Sequence, residues 1–99
     1  MSTDYQLVDN QEAKQYQIDV DGQHPRIEYI KAKDQIYLTH TEVPKALEGN
    51  GFGSLIIGLA LEDIKKKDLT LIPICPFVSW YIKKHPEWRE LVLKWINIA

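Results

Sequence analysis

Three glycines recur at every second position in the segment Gly49-Asn50-Gly51-Phe52-Gly53. Glycine accepts left-handed backbone angles and lets a ligand approach the main chain closely. Where a helix begins directly after such a turn, its unpaired amides and its dipole favour an anion, most often a phosphate. The alternative is a loop that needs glycine only to turn a corner, and the spacing alone leaves both interpretations open. The segment fits neither a Walker loop, since no Gly-Lys-Ser/Thr follows, nor a Rossmann fingerprint.

A lone cysteine, Cys75, comes directly before Pro76. Proline is typical of the first residue of a helix, and a thiolate is stabilised at a helix N-terminus. This position is compatible with a chemical role for the sulfur. The alternative is a buried small apolar side chain, which is the usual role of an isolated cysteine.

Two further side chains, those of His40 and Tyr81, suit proton transfer. His40 falls on the same strand face as Ile36 and Leu38, which predicts a half-buried ring, and an imidazole there is a candidate general base. Tyr81 lies one helical turn after Phe77. It either packs in the core or offers its hydroxyl as a proton donor to a leaving group.

The first half of the chain shows the two-residue alternation of apolar side chains that is typical of β-strands. Asp21-Gly22 interrupts this alternation as a hairpin turn does, and Pro44 ends it because proline has no amide hydrogen for a ladder. The pattern therefore predicts an antiparallel meander. Its strands are expected near residues 5–8, 16–20, 26–31 and 36–43.

After the glycines the apolar residues recur every three or four positions, which predicts a helix. Pro73 lies within the next apolar run and indicates a strand that lacks a full partner on one side. Pro76 then opens another helix, and Pro86 stops it. The predicted elements are a helix over residues 55–67 with three lysines in its last turn, a strand over residues 69–74, a helix from residue 76 and a last helix over residues 87–98.

This order of elements predicts an α+β fold, with an antiparallel meander followed by a helix, a parallel strand and C-terminal helices. A chain of 99 residues supports one core, so we expect a single domain over residues 1–99. A net charge of -2 without a long basic run argues against a nucleic-acid surface. One cysteine, no signal-peptide pattern and no apolar run long enough to span a bilayer predict a cytoplasmic protein that does not bind membranes.

Two blocks of this sequence resemble a known family. Residues 40–54, HTEVPKALEGNGFGS, are similar to the acetyl-CoA-binding motif of GNAT N-acetyltransferases. Residues 73–88, PICPFVSWYIKKHPEW, resemble the small stand-alone members of that superfamily with a Cys-Pro-Phe block. The resemblance runs from about residue 18 to residue 88. Where the family motif usually has Gln or Arg, this chain has Glu48, whose carboxylate repels a pyrophosphate unless it turns to solvent.

The resemblance implies how acetyl-CoA would bind. In GNAT proteins the strand before the glycine turn (here residues 36–43) and the next parallel strand (residues 69–74) splay apart. The pantetheine arm inserts between them and bonds to the backbone of the first strand, while the turn amides hold the pyrophosphate. The implied cofactor-binding residues are Val43, Gly49, Asn50, Gly51, Phe52, Gly53 and Ser54, and no metal is implied.

The resemblance also implies a reaction, the transfer of an acetyl group to an amine of a small molecule or a protein. In direct transfer His40 takes the amine proton, and Tyr81 or Cys75 protonates the coenzyme thiolate. In a covalent route Cys75 accepts the acetyl group first. Glu48 and the short chain favour the alternative, a non-catalytic module that binds CoA or a protein partner. We expect a monomer or a weak homodimer.

Overall fold

The strands of this computed structural model, which describes residues 5–94, form a mixed five-stranded sheet. Strands β1 (Val8–Asn10), β2 (Gln15–Gln17), β3 (Arg26–Ala32) and β4 (Gln35–Glu42) are antiparallel neighbours. Strand β5 (Thr70–Pro73) lies parallel to β4, and the strands follow chain order across the sheet. The meander followed by a parallel strand confirms the predicted α+β fold.

Helix α1 (Phe52–Lys66) connects β4 to β5, and helix α2 (Pro76–Lys84) follows β5. Lys65 and Lys66 lie in the last turn of α1, where they complement the negative end of its dipole. The apolar side of α1 packs on one face of the sheet. The buried side chains on the two sides of this layer include Ile56, Ile57, Ala60, Leu61 and Ile64 of α1, and Tyr16, Ile27, Tyr29, Ile36 and Leu38 of the strands. None of the helices within residues 5–94 has the length and apolar character needed to cross a membrane.

Helices α1 and α2 touch through two glycines. A Cβ atom on Gly53 would lie 2.7 Å from the ring of Phe77, and one on Gly58 would lie 2.9 Å from the hydroxyl of Tyr81. Any residue larger than glycine at these positions would therefore have to displace the ring opposite it. The first contact joins the N-terminal turns of the two helices, and the second lies further along both of them. The helices therefore run in the same direction, with their N-termini at the same end.

A β-bulge interrupts strand β4 at Thr39. Leu38 pairs with Tyr29 and His40 pairs with Glu28, so Thr39 has no paired residue on β3, although its hydroxyl donates to the carbonyl of Glu28 at 3.1 Å. An extra residue of this kind breaks the alternation of faces along a strand.

The bulge corrects the predicted orientation of His40. Thr41 pairs with the buried residue Ile27 and therefore lies on the face of Ile36 that α1 covers. His40 lies on the opposite face and is exposed. Simple alternation placed His40 with Ile36 because it counted no extra residue in the strand.

The last helix, predicted over residues 87–98, is only partly present where the structure describes it. A short 3₁₀ helix covers Pro86–Leu91, and Val92 is extended. Val92 then bridges Leu71, and the amide of Leu93 donates to the carbonyl of Leu71 at 2.9 Å. The outer edge of β5 therefore pairs with this segment as it would with a strand. The helical spacing of the apolar residues in the segment did not predict this pairing. Residues 95–98 of the predicted helix lie outside the described residues.

Candidate cofactor-binding site

A cavity of about 360 Å³ lies between the end of β4 and the start of α1. Six of the seven predicted cofactor-binding residues line it, namely Val43, Gly49, Gly51, Phe52, Gly53 and Ser54. The rest of its lining consists of Thr41, Glu42, Leu47, Glu48 and Phe77.

The glycine turn brings unpaired amides to this cavity. Gly49 and Gly51 have positive φ angles of 82° and 80°, and Gly51 directly precedes the helix. Leu55 donates to the carbonyl of Gly51 at 3.0 Å. The three amides before it, those of residues 52–54, have no acceptor within residues 5–94, and no side chain caps the helix. The open end of α1 therefore offers N–H donors and the positive end of a helix dipole.

Asn50 supports the turn and does not line the cavity. Its side-chain amide donates to the carbonyl of Leu47 at 3.2 Å and to that of Glu48 at 3.4 Å. These bonds hold the short 3₁₀ turn at residues 45–47 against the glycines, so Asn50 is placed to fix the turn's conformation.

Strands β4 and β5 separate beside the cavity. Their last rung joins Leu38 to Pro73. The chain then turns, with the amide of Ile74 donating to Ile72 and that of Cys75 donating to the carbonyl of Leu38 at 2.8 Å. Within the described residues, β4 continues to Glu42 with only β3 as its partner. Pro73 thus ends its strand at the gap, as its missing amide hydrogen predicts.

Cys75 lies at this gap, behind the cavity wall. Its side chain is 4% exposed, and it is the N-cap residue of α2. Its sulfur lies 3.4 Å from the hydroxyl oxygen of Thr41, which itself lines the cavity. Burial and a position at a helix start, which the sequence offered as alternatives, therefore occur together.

His40 approaches the same cavity from the other face of β4. Its Nε2 atom lies 2.8 Å from Oε1 of Glu42, and both side chains are about half exposed. Glu42 lines the cavity, whereas His40 does not. Cys75 and His40 therefore each contact a residue that lines the cavity. Cys75 contacts Thr41 and His40 contacts Glu42, and these two consecutive side chains lie on opposite faces of the strand.

The structure does not place Tyr81 with these groups. Its hydroxyl lies over Gly58, its ring stacks on His85 with centroids 4.2 Å apart, and it does not line the cavity. Burial, followed by the charges of Glu87 and Glu62, raises the pKa of Tyr81 above its usual value. These contacts make the ring a packing element between α1 and α2.

Sequence reasoning missed four residues that line the cavity, namely Thr41, Glu42, Leu47 and Phe77. The Cys-Pro-Phe block contained a signal for Phe77, because a residue two positions after a helix cap lies beside the first free amides of that helix. The sequence contained no such signal for Thr41 and Glu42, since the bulge at Thr39 decides on which face of β4 each side chain lies. Within residues 5–94, no group of three or more His, Cys, Asp or Glu side chains is placed to hold a metal ion.

A family model described as GCN5-related N-acetyl-transferase matches residues 15–91. This chain belongs to that family. The match covers β2 to the 3₁₀ helix after α2, and therefore includes the glycine turn and the separated strands. The mixed sheet with its parallel pair is accordingly the fold of a GCN5-related N-acetyltransferase.

Relatives of this chain occur in vertebrates. The chain is 27% identical over 89 residues to Protein NATD1 of Xenopus tropicalis, a match that covers 86% of this chain and 81% of the relative. It is 30% identical over 81 residues to Protein NATD1 of Mus musculus, with 78% and 73% of the two chains covered. It is 31% identical over 77 residues to Protein NATD1 of Homo sapiens, with 74% and 67% covered.

Proposed function

We propose that this chain binds acetyl-CoA in the cavity beside the glycine turn and transfers the acetyl group to an amine. The observation that carries the proposal is the open start of α1, where three unpaired amides belong to residues that line the cavity. The cavity volume of about 360 Å³ lies within the usual range for small-molecule sites. Family membership favours the same cofactor.

The turn suits a pyrophosphate. Free amides at a helix N-terminus and the helix dipole both favour an anion, and the left-handed glycines let it approach the backbone. The N-terminus of α2 lies at the same end and adds a second dipole of the same sign. Glu42 and Glu48 also border the cavity, but both are exposed, and water screens their repulsion.

The separated strands suit the pantetheine arm. Among residues 5–94, β4 has no strand partner beyond Leu38 on the side that β5 has left. An amide-containing arm can bond there as an added strand does. Val43 follows the last residue of this edge, is half buried and lines the cavity opposite Gly53.

Bound acetyl-CoA supplies a thioester, and attack of an amine on its carbonyl carbon breaks the C–S bond and leaves the coenzyme thiolate. In the proposed direct transfer, His40 accepts the proton that the amine loses, with its ring held by Glu42. Cys75 passes its S–H proton to the thiolate through the hydroxyl of Thr41, and exchange with solvent restores both groups. We favour direct transfer because the buried sulfur of Cys75 does not line the cavity and cannot attack a thioester there, whereas the Thr41 hydroxyl can relay its proton.

The proposal is tested first by thermal unfolding with acetyl-CoA, CoA and ADP. Binding to the folded chain raises the midpoint with ligand concentration. We expect a rise with acetyl-CoA and CoA, and release of the CoA thiol when a suitable amine is added. No shift at saturating CoA would remove the proposal, and a shift without turnover on any amine would favour the non-catalytic module.

Two glycine variants separate binding from folding. Gly51→Ala and Gly22→Ala place a side chain at similar positive φ angles, 80° and 82°, and neither new Cβ has an atom within 4 Å. Their folding costs should therefore match. Only Gly51 lines the cavity, so only Gly51→Ala should weaken CoA, by about tenfold or roughly 1.4 kcal/mol.

A further inference from the structure

Two exposed aromatic rings on α2, those of Phe77 and Trp80, lie side by side next to the cavity. They are 39% and 46% exposed, and their centroids are 5.5 Å apart. Phe77 lines the cavity and covers Gly53 in the first turn of α1. Phe77 therefore lies between Trp80 and the free amides of the glycine turn.

A cation accompanies Trp80. The Nζ atom of Lys84 lies 5.9 Å from the centroid of the Trp80 ring, one helical turn further along α2. An exposed aromatic ring next to an ammonium group can pack on a flat base and pair with a phosphate at the same time. Such a combination recognises a phosphorylated nucleoside by chemistry that neither residue supplies alone.

We propose that Trp80 and Lys84 form a subsite for the 3′-phosphoadenosine end of CoA. Trp80 packs against the adenine, and Lys84 pairs with the 3′-phosphate. This inference rests on the proposed function, because the pyrophosphate at residues 52–54 is what brings the adenosine to α2.

The lining of the cavity indicates on which side of the glycine turn the adenosine lies. The pantetheine arm and the adenosine are both attached to the pyrophosphate and cannot occupy the same space, so the adenosine takes the path that the arm leaves open. The arm has its place on the β4 side, along the edge that β5 has left. The other wall of the cavity is Phe77, and the path beyond it leads to Trp80 and Lys84.

The test compares three ligands by calorimetry: CoA, dephospho-CoA without the 3′-phosphate, and 4′-phosphopantetheine without the adenosine. Trp80→Ala should weaken CoA and dephospho-CoA by about tenfold, since packing of a base on an aromatic ring contributes about this much. It should leave 4′-phosphopantetheine unchanged. Lys84→Gln should weaken CoA several-fold and leave dephospho-CoA unchanged, and the difference should shrink in high salt.

Controls match each variant. Trp80→Phe keeps a ring and should retain most of the affinity, and Lys83→Gln removes the neighbouring exposed charge on another side of α2. Thermal unfolding without ligand shows that each variant folds. The subsite is overturned if Trp80→Ala leaves CoA binding unchanged, as a protein-docking role for the rings predicts. It is equally overturned if Trp80→Ala weakens all three ligands alike, because that result means a disturbed cavity. Failure of the unaltered chain to bind CoA would instead overturn the proposed function, and the subsite with it.

Discussion

The hydroxyl oxygen of Thr41 lies 3.4 Å from the sulfur of Cys75, and this contact spans the gap where β4 and β5 have separated. It exists because the bulge at Thr39 turns Thr41 toward the face that α1 covers. The start of α2 is thereby tied to the wall of the cavity. A proton on the Cys75 sulfur has a route to the cavity along this contact, even though the sulfur itself is buried.

The first prediction concerns Cys75→Ala. If Cys75 is the proton donor in direct transfer, its removal should lower kcat by about 10²-fold or more and change the CoA affinity little. Intact-mass measurement of the unaltered chain after rapid quench should show no acetylated protein. An acetylated species would favour the covalent route, and full turnover by Cys75→Ala would remove the sulfur from the reaction.

His40→Gln is the second prediction. His40 lies outside the cavity lining, so this change should leave the CoA affinity unchanged and lower the acetyl-transfer rate by about 10²-fold. The matched control is His24→Gln, because His24 is also exposed and lies 3.9 Å from a carboxylate, that of Asp19. Equal rates for the two variants would contradict the assigned role of His40.

The sequence was sufficient to predict the meander, the helix after the glycines and the start of α2 at Pro76. These elements depend on local signals, namely alternation, helical spacing and the backbone limits of glycine and proline. Even the Asp21-Gly22 turn is present, with Val20 and Gln23 paired across it. Local chemistry alone decides such features.

The two errors in the predicted fold arose where distant parts of the chain decide the conformation. The bulge at Thr39 is a property of the pairing between β3 and β4, and no residue of β4 alone reveals it. Val92 is extended because the edge of β5 is free to pair with it. The contact between Thr41 and Cys75 depends on residues 34 positions apart, so the cavity could be predicted from the glycines but the path from it to the sulfur could not.

A polar cluster at the far end of α1 gives the third prediction. The Nζ atom of Lys67 lies 2.9 Å from Asp9 and 2.8 Å from Asp63, which links β1 to the end of the helix. Burial raises the pKa of Asp9, but hydrogen bonds from Lys67 and Tyr29 outweigh it and hold this pKa below the usual 3.8. The stability that Asp9 contributes is therefore present above pH 3.8 and is lost as the pH falls through its folded-state pKa.

Lys67→Met should lower the free energy of unfolding at pH 7 by about 1 kcal/mol, since two partly buried carboxylates lose their shared cation. This deficit should shrink as the pH falls toward 4, because protonation of Asp9 removes a negative charge that has lost its cation. The control is Lys65→Met, whose pair with Glu90 is about 60% exposed on both sides and should contribute no more than about 0.5 kcal/mol. Urea unfolding at several pH values measures both, and equal deficits would contradict the special role of Lys67.

The contact between Gly58 and Tyr81 gives the fourth prediction. A Cβ atom at residue 58 would lie 2.9 Å from the Tyr81 hydroxyl but 3.8 Å from the ring carbon that carries it. Gly58→Ala should therefore destabilise the chain by about 1–2 kcal/mol, because the ring must move although alanine is the better helix former. Tyr81→Phe removes the clashing oxygen and keeps the ring.

In the Tyr81→Phe background, Gly58→Ala should become neutral or stabilising by up to about 1 kcal/mol, the difference in helix propensity. A double-mutant cycle measured by urea unfolding gives this coupling directly. Tyr81→Phe should also retain its acetyl-transfer rate, since the hydroxyl lies over α1 and not at the cavity. Additive free energies would mean that the helices adjust without strain. A large loss of rate in Tyr81→Phe would return the hydroxyl to the reaction as the proton donor in place of Cys75.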